Sequence, residues 1–138
     1  MIVVPDEGAI ELLTKTLIAT LDVDESYSLR LFRNDMTPAA GSTLASFTEA
    51  TFLGYFRFDL TRAGWTVPVI VAGRAVTEWT AAEVAWTCAS GSQELFGYYV
   101  VAPATAKVAW AERFTEPRTL TAGQKLIVLP RFTGRGEV

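Results

Sequence analysis

Residues 94–102 read ELFGYYVVA. Apart from the leading glutamate and one glycine, every side chain is apolar or aromatic, and the run is short. Val, Tyr and Phe suit the pleated, half-buried surface of a sheet, so the stretch predicts a β-strand. Gly97 interrupts it. A glycine inside a strand costs stability, so it marks a bulge, a bend or a neighbour that approaches closely. A near copy, FLGYF, spans residues 52–56, with Gly54 and Tyr55 in the corresponding places. Both strings read as strands with the same local mechanics. Each tyrosine faces away from its glycine, and a large ring on one strand lies across the bare glycine of its neighbour. They would occupy equivalent places in two sheets.

Outward from these runs the pattern repeats. YSLRLFR (27–33) alternates, with Tyr27, Leu29 and Leu31 on one side and Ser28 and Arg30 on the other. FTEATFLGYFRFDLT, WTVPVIVAG, RAVTEWTAAEVAWTCA, KVAWAERF and QKLIVLPRF are strand-like in composition. RAG, AGR, ASGS, APAT, TEPR and TAGQ supply turns between them. Pro68 and Pro130 mark edges or strand ends, because proline has no N–H to give a ladder. The expected fold is mainly β: an antiparallel, jelly-roll-like β-sandwich of seven to nine strands.

The N-terminal segment differs. In PDEGAIELLTKTLIATL, Asp6 can cap a helix, and Ile10, Leu13, Leu17 and Leu21 recur at helical spacing. One N-terminal α-helix therefore precedes the strands. The expected divisions are an arm and helix over 1–22, a sandwich over 26–133 and a polar tail over 134–138. All lie within one domain of 138 residues.

Composition narrows function. Twelve basic against fifteen acidic residues give a net charge of −3, with the basic residues scattered, so no nucleic-acid partner is expected. No run has the ~18 apolar residues of a membrane helix. The opening MIVVPDEG lacks the basic start and long apolar core of a secretory signal, which predicts synthesis in a cytoplasm.

Chemistry is sparse. The chain has no histidine, and its one cysteine, Cys88, sits among small and apolar residues, so no zinc site or thiol–imidazole pair is expected. Glu78, Glu83, Glu94, Glu112 and Glu116 fall on or beside strands, as half-solvated strands commonly have them. DVDES begins like a calcium loop, yet Tyr27 and Arg33 stand where glycine and glutamate belong. The sequence predicts no catalytic residue, cofactor or metal.

Several stretches, MIVVPDEGAIELLTKTL, YSLRLFRNDMTP, SFTEATFLGY, FGYYVV, VAWAERF and LTAGQKLIVLPRF, resemble in that order a family of small virion structural proteins of tailed phages. The family is similar to head decoration, or cement, proteins, and less often to tail accessory proteins. WTVPVIVAGRAVTEWTAAEVAW departs most from the pattern. The resemblance implies a β-sandwich located in the virion that binds the major capsid protein and associates with itself, commonly as a trimer. It brings no catalytic residues.

Expected contact residues are Ile2, Val3, Val4 and Leu12, from an apolar surplus, and Asn34, Asp35 and Met36, from a long loop over 34–43. Deleting residues 1–5 should then weaken attachment and spare the fold. A tail-associated module binding host glycan through exposed Trp79 and Trp110 is the alternative. The tryptophans otherwise belong to the core.

Overall fold

The computed structural model describes residues 2–10, 26–61, 64–103 and 105–135, with side chains in the last strand as far as Phe132. Ten strands occur among them. In chain order they are β1 (Ile2–Val3), β2 (Ser26–Phe32), β3 (Phe58–Thr61), β4 (Val69–Val71), β5 (Arg74–Glu78), β6 (Val84–Thr87), β7 (Ser92–Val101), β8 (Val108–Thr121), β9 (Lys125–Val128) and β10 (Arg131–Arg135). All pairings are antiparallel. The main sheet runs β1-β8-β7-β2-β3, and two smaller sheets run β10-β5-β4 and β6-β9.

The central strands are buried on both faces, which is why β7 reads as a nearly continuous apolar run. On one face Leu29, Leu31, Leu60, Leu95, Tyr98, Val100 and Trp110 pack with Val84, Trp86, Leu126 and Val128 of the β6–β9 sheet. Phe132 of β10 packs against the same cluster. This is the two-layer core of a sandwich, its second layer divided between the two small sheets. On the other face Phe32, Phe96, Tyr99, Val101, Val108 and Ala111 are covered by Phe47, with Met36 and Leu44 beside them. The connection between β2 and β3 is therefore a lid on a second core.

Gly97 does what its position predicts. It is the direct partner of Phe32 on β2, and the β7–β8 register shifts between Leu95 and Gly97. A β-carbon there would sit 2.6 Å from the Phe32 ring and would collide with the Glu112 carbonyl. FLGYF departs from expectation. Gly54 has φ +102° and lies in a turn closed by the Tyr55 N–H donating to the Phe52 carbonyl at 3.1 Å. In place of a ladder, the stretch is tied to its neighbours by an isolated bridge, Leu53 to Ser90, and by Trp86 Nε1 donating to the Phe56 carbonyl at 2.7 Å. The two strings thus share close approach, since a β-carbon at Gly54 would collide with the Thr87 carbonyl, without sharing a strand setting.

Several boundaries shift for identifiable reasons. TEPR does not end a strand, because β8 continues through it. Its partners jump from Arg118 to Arg113 opposite Leu95 and Gly97, so residues 114–117 form a bulge that accommodates Pro117. QKLIVLPRF breaks at Pro130 into β9 and β10, and Pro68 precedes edge strand β4. Residues 134–135 belong to β10 rather than to a tail.

Residues 6–10 are helical. The Ala9 N–H donates to the Pro5 carbonyl at 2.9 Å, which makes Pro5 the capping position and Asp6 the first helical residue. Leu13, Leu17 and Leu21, and the DVDES aspartates, lie outside the described residues. Cys88 is fully buried, in keeping with its small and apolar neighbours. No helix among the described residues is long and apolar enough to cross a membrane.

Candidate interaction surface

The expected contact residues are mostly parts of the scaffold. Ile2 and Val3 form β1, paired with Glu112 and Ala111 of β8, and Ile2 and Val4 pack on the main core. Pro5 is among the most deeply buried residues. Residues 2–5 thus belong to the edge of the main sheet and its core rather than to a free arm. Leu12 lies outside the described residues.

The loop residues are also internally engaged. Asn34 Nδ2 donates to the Ser46 carbonyl at 2.9 Å and its Oδ1 accepts the Thr48 N–H at 2.8 Å, which pins both ends of the loop together. Arg113 donates to the Met36 carbonyl and pairs with Asp35, both at 2.8 Å, and its guanidinium lies 5.2 Å from the centre of the Phe96 ring. Asp35 remains exposed, while Met36 is half-buried in the second core. Of the two tryptophans expected to be exposed in the glycan reading, Trp79 is 9% and Trp110 5% exposed, so neither presents a platform to solvent. Trp79 Nε1 donates to the Ala82 carbonyl.

The exposed apolar surface lies elsewhere. Val67, Val69, Ile70 and Val71 are 82%, 58%, 73% and 55% exposed. They belong to or adjoin β4, the edge of the three-stranded sheet. The β4–β5 turn places Ala72 at φ 50° and Gly73 at φ 76°. Two central residues with positive φ are the type I′ arrangement, whose twist suits a tight hairpin. Successive strand residues point to opposite faces, so exposure of all three β4 residues means that both faces of β4 stand clear of the body. VPVIVAG reads as a strand and a turn, and it carries no signal for exposure, because an unbroken apolar run ordinarily implies burial on both sides.

Beside the hairpin is an apolar cleft of about 190 Å³ lined by Trp65, Thr77, Trp110 and Phe132. Its rings meet edge to face, with centroids 5.8 Å apart for Trp65–Trp110 and 5.1 Å for Trp110–Phe132. The hydroxyl of Thr77 in that lining already donates to the Thr66 carbonyl.

Polar side chains are paired into supports. Glu49 accepts the Tyr55 hydroxyl at 2.8 Å and two Arg57 N–H groups at 2.9 and 3.0 Å. Burial alone would raise the Glu49 pKa, but the Arg57 and Tyr55 hydrogen bonds and the positive charge of Arg57 hold it below the usual value. Tyr98 donates to Glu112 at 2.9 Å. Burial, reinforced by the adjacent carboxylates, pushes both the Tyr55 and Tyr98 hydroxyls well above the usual phenol pKa. Each tyrosine that follows a glycine in the repeated strings thus hydrogen-bonds a glutamate. Glu83 pairs with Lys125. Among the described residues, no three Asp, Glu, Cys or His side chains are grouped to hold a metal ion.

No protein-family model matches this sequence, and the comparison with curated proteins finds no match either.

Proposed function

We propose that this chain is a structural protein of a tailed-phage virion, a decoration or cement subunit of the head that works by surface contact and has no enzymatic activity. The observation that carries the reading is the apolar hairpin. The largest contiguous apolar patch on a soluble protein is often a functional contact surface. The resemblance of the flanking segments to small virion proteins supports the same reading. A support network of paired glutamates, tyrosines and arginines suits a rigid scaffold.

On the capsid, the proposed partner is the major capsid protein. Many copies on a symmetric shell would multiply a modest contact. The tail-module alternative drew on exposed Trp79 and Trp110; both are buried, and the nearby cleft offers little hydrogen bonding for a sugar. Imaging of the intact particle tests the proposal. Density for this fold at regular positions on the head is expected, and its absence from the head of purified particles would refute the reading.

A further inference from the structure

β8 and β9 are joined by a tight turn, in which the Gln124 N–H donates to the Thr121 carbonyl at 2.9 Å, yet they do not pair. β9 turns away to pair with β6. Opposite Cα atoms of paired strands lie about 5 Å apart. Those of β8 and β9 stay more than 8 Å apart for nearly all their length. The space between them is a groove of about 560 Å³. It touches every residue from Glu112 to Thr119, together with Leu126 and Ile127. Neighbouring residues of a strand point to opposite faces, so a groove that touches consecutive ones follows an edge. No residue of β6 or β7 lines it, so the edges concerned are the outer ones. Among the described residues these edges have no strand partner there. β1 covers β8 only at Ala111 and Glu112, and β9 pairs only with β6.

The two edges differ. β8 carries the bulge, Pro117 and the charges of Arg113, Glu116 and Arg118, all devices that keep an edge from taking a regular ladder. Beyond Lys125, β9 has none of them. Leu126, Ile127 and Val128 run unbroken to Leu129, and Ile127 and Leu129 are 49% and 83% exposed. An edge of this composition is open to pairing.

We infer that the groove is a slot for a single extended segment of a partner polypeptide, which pairs with β9 and is walled on its far side by the β8 bulge. Width and chemistry select this occupant. A strand that already belongs to a sheet brings its neighbour with it, about 5 Å farther out, and the β8 wall stands in that place. Every described strand of this chain already has such a neighbour, so the edge of a second copy does not enter. A lone segment does. The same recess shields β9 from other sheets, which is why its edge needs no charge or proline. The unpaired groups of β9 call for main-chain N–H and C=O in extended form, as strand addition supplies. β9 is roughly 13 Å long, so the ladder takes about four residues of the guest. Leu126 and Phe114 both pack on the main core, so every second side chain of the guest meets apolar neighbours. Along the β8 wall Glu112 and Glu116 balance Arg113 and Arg118, so the guest is selected by backbone form and apolar alternation, with no net charge required.

Hydrogen exchange on the full chain, followed by NMR, tests the inference. β1 runs antiparallel beside Ala111 and Glu112, so an N-terminal extension is led along β8 into the slot. An alternating Thr-Val extension of about seven residues is the probe, tethered at roughly millimolar effective concentration. The β9 amides that do not bond β6 should then exchange about tenfold slower, or more, than in the wild type. An all-proline extension of the same length has no N–H to give and should slow nothing. Unchanged exchange with the Thr-Val extension, or equal slowing by the proline one, would overturn the inference. Two wild-type results would do so as well. Amides of the β9 edge already protected at about 10 µM would mean that the chain fills its own slot, and protection that arises only near about 1 mM would mean that a second copy does. Neither outcome bears on whether the protein sits on the head, so the slot and the capsid reading stand or fall separately.

Discussion

Phe32 and Gly97 fit closely across β2 and β7. The ring fills the space a side chain at 97 would take, and the Glu112 carbonyl closes the other side. Gly97→Ala should therefore destabilise the fold by about 2 kcal/mol, as overpacking does, read as a lower urea midpoint with an unchanged slope. A midpoint equal to that of the wild type would show that the strands part freely. Ala72 is the opposite case. It holds φ 50° in the hairpin turn, a region costly for a residue with a β-carbon and easier for asparagine. Ala72→Asn should stabilise the hairpin by up to about 1 kcal/mol and raise the melting temperature by a few degrees. A lower melting temperature would count against the I′ assignment. Sequence alone exposed the Gly97 site, since a glycine in a strong strand pattern is conspicuous. Ala72 carried no such mark, because alanine is unremarkable in any turn and its backbone angle is set by the hairpin that forms around it.

At the scale of elements, β1 decides how the chain begins. Its two residues cover the edge of β8, and Pro5 is buried behind them. Glu7 Oε1 accepts the Val108 N–H at 2.9 Å, which fastens the helical turn to the start of the same strand. Deleting residues 1–5 should lower the melting temperature and expose the edge of β8 to pairing with other chains. Light scattering during heating would show earlier aggregation. A truncated protein that melts like the full chain would restore the view of a free arm. The extent of β8 was illegible because TEPR carries ordinary turn residues. Only pairing with β7 on both sides of the bulge reveals a single long strand. The exposure of β4 was hidden for a related reason: composition reports a preference for burial and says nothing about whether a covering layer exists.

For the whole molecule, stability should fall at both extremes of pH. The Glu49 carboxyl has a depressed pKa when folded, so its contribution is present above the unfolded value and is lost as pH falls through the folded one. Tyr55, Tyr98 and Tyr99 have raised values. Their contribution is present below the unfolded phenol pKa, near 10, and declines above it, because the unfolded chain then releases protons that the folded chain retains. Urea midpoints should be flat through neutral pH and drop above about pH 10. Tyr55→Phe with Tyr98→Phe should flatten the alkaline limb; an unaltered limb would place its cause elsewhere.

By itself the sequence determined that the protein is mainly β, which stretches make most of its strands, that the described tryptophans pack with the core, and that Gly97 admits a neighbour. Those properties follow from local periodicity, side-chain shape and the conformational limits of single residues. The tertiary structure alone decided that the first residues complete a sheet, that the long loop roofs a second core, and that the most apolar hairpin faces water beside an aromatic cleft. Each depends on which strand lies next to which. Residues remote in the chain set that adjacency through shared burial, and no local window contains it.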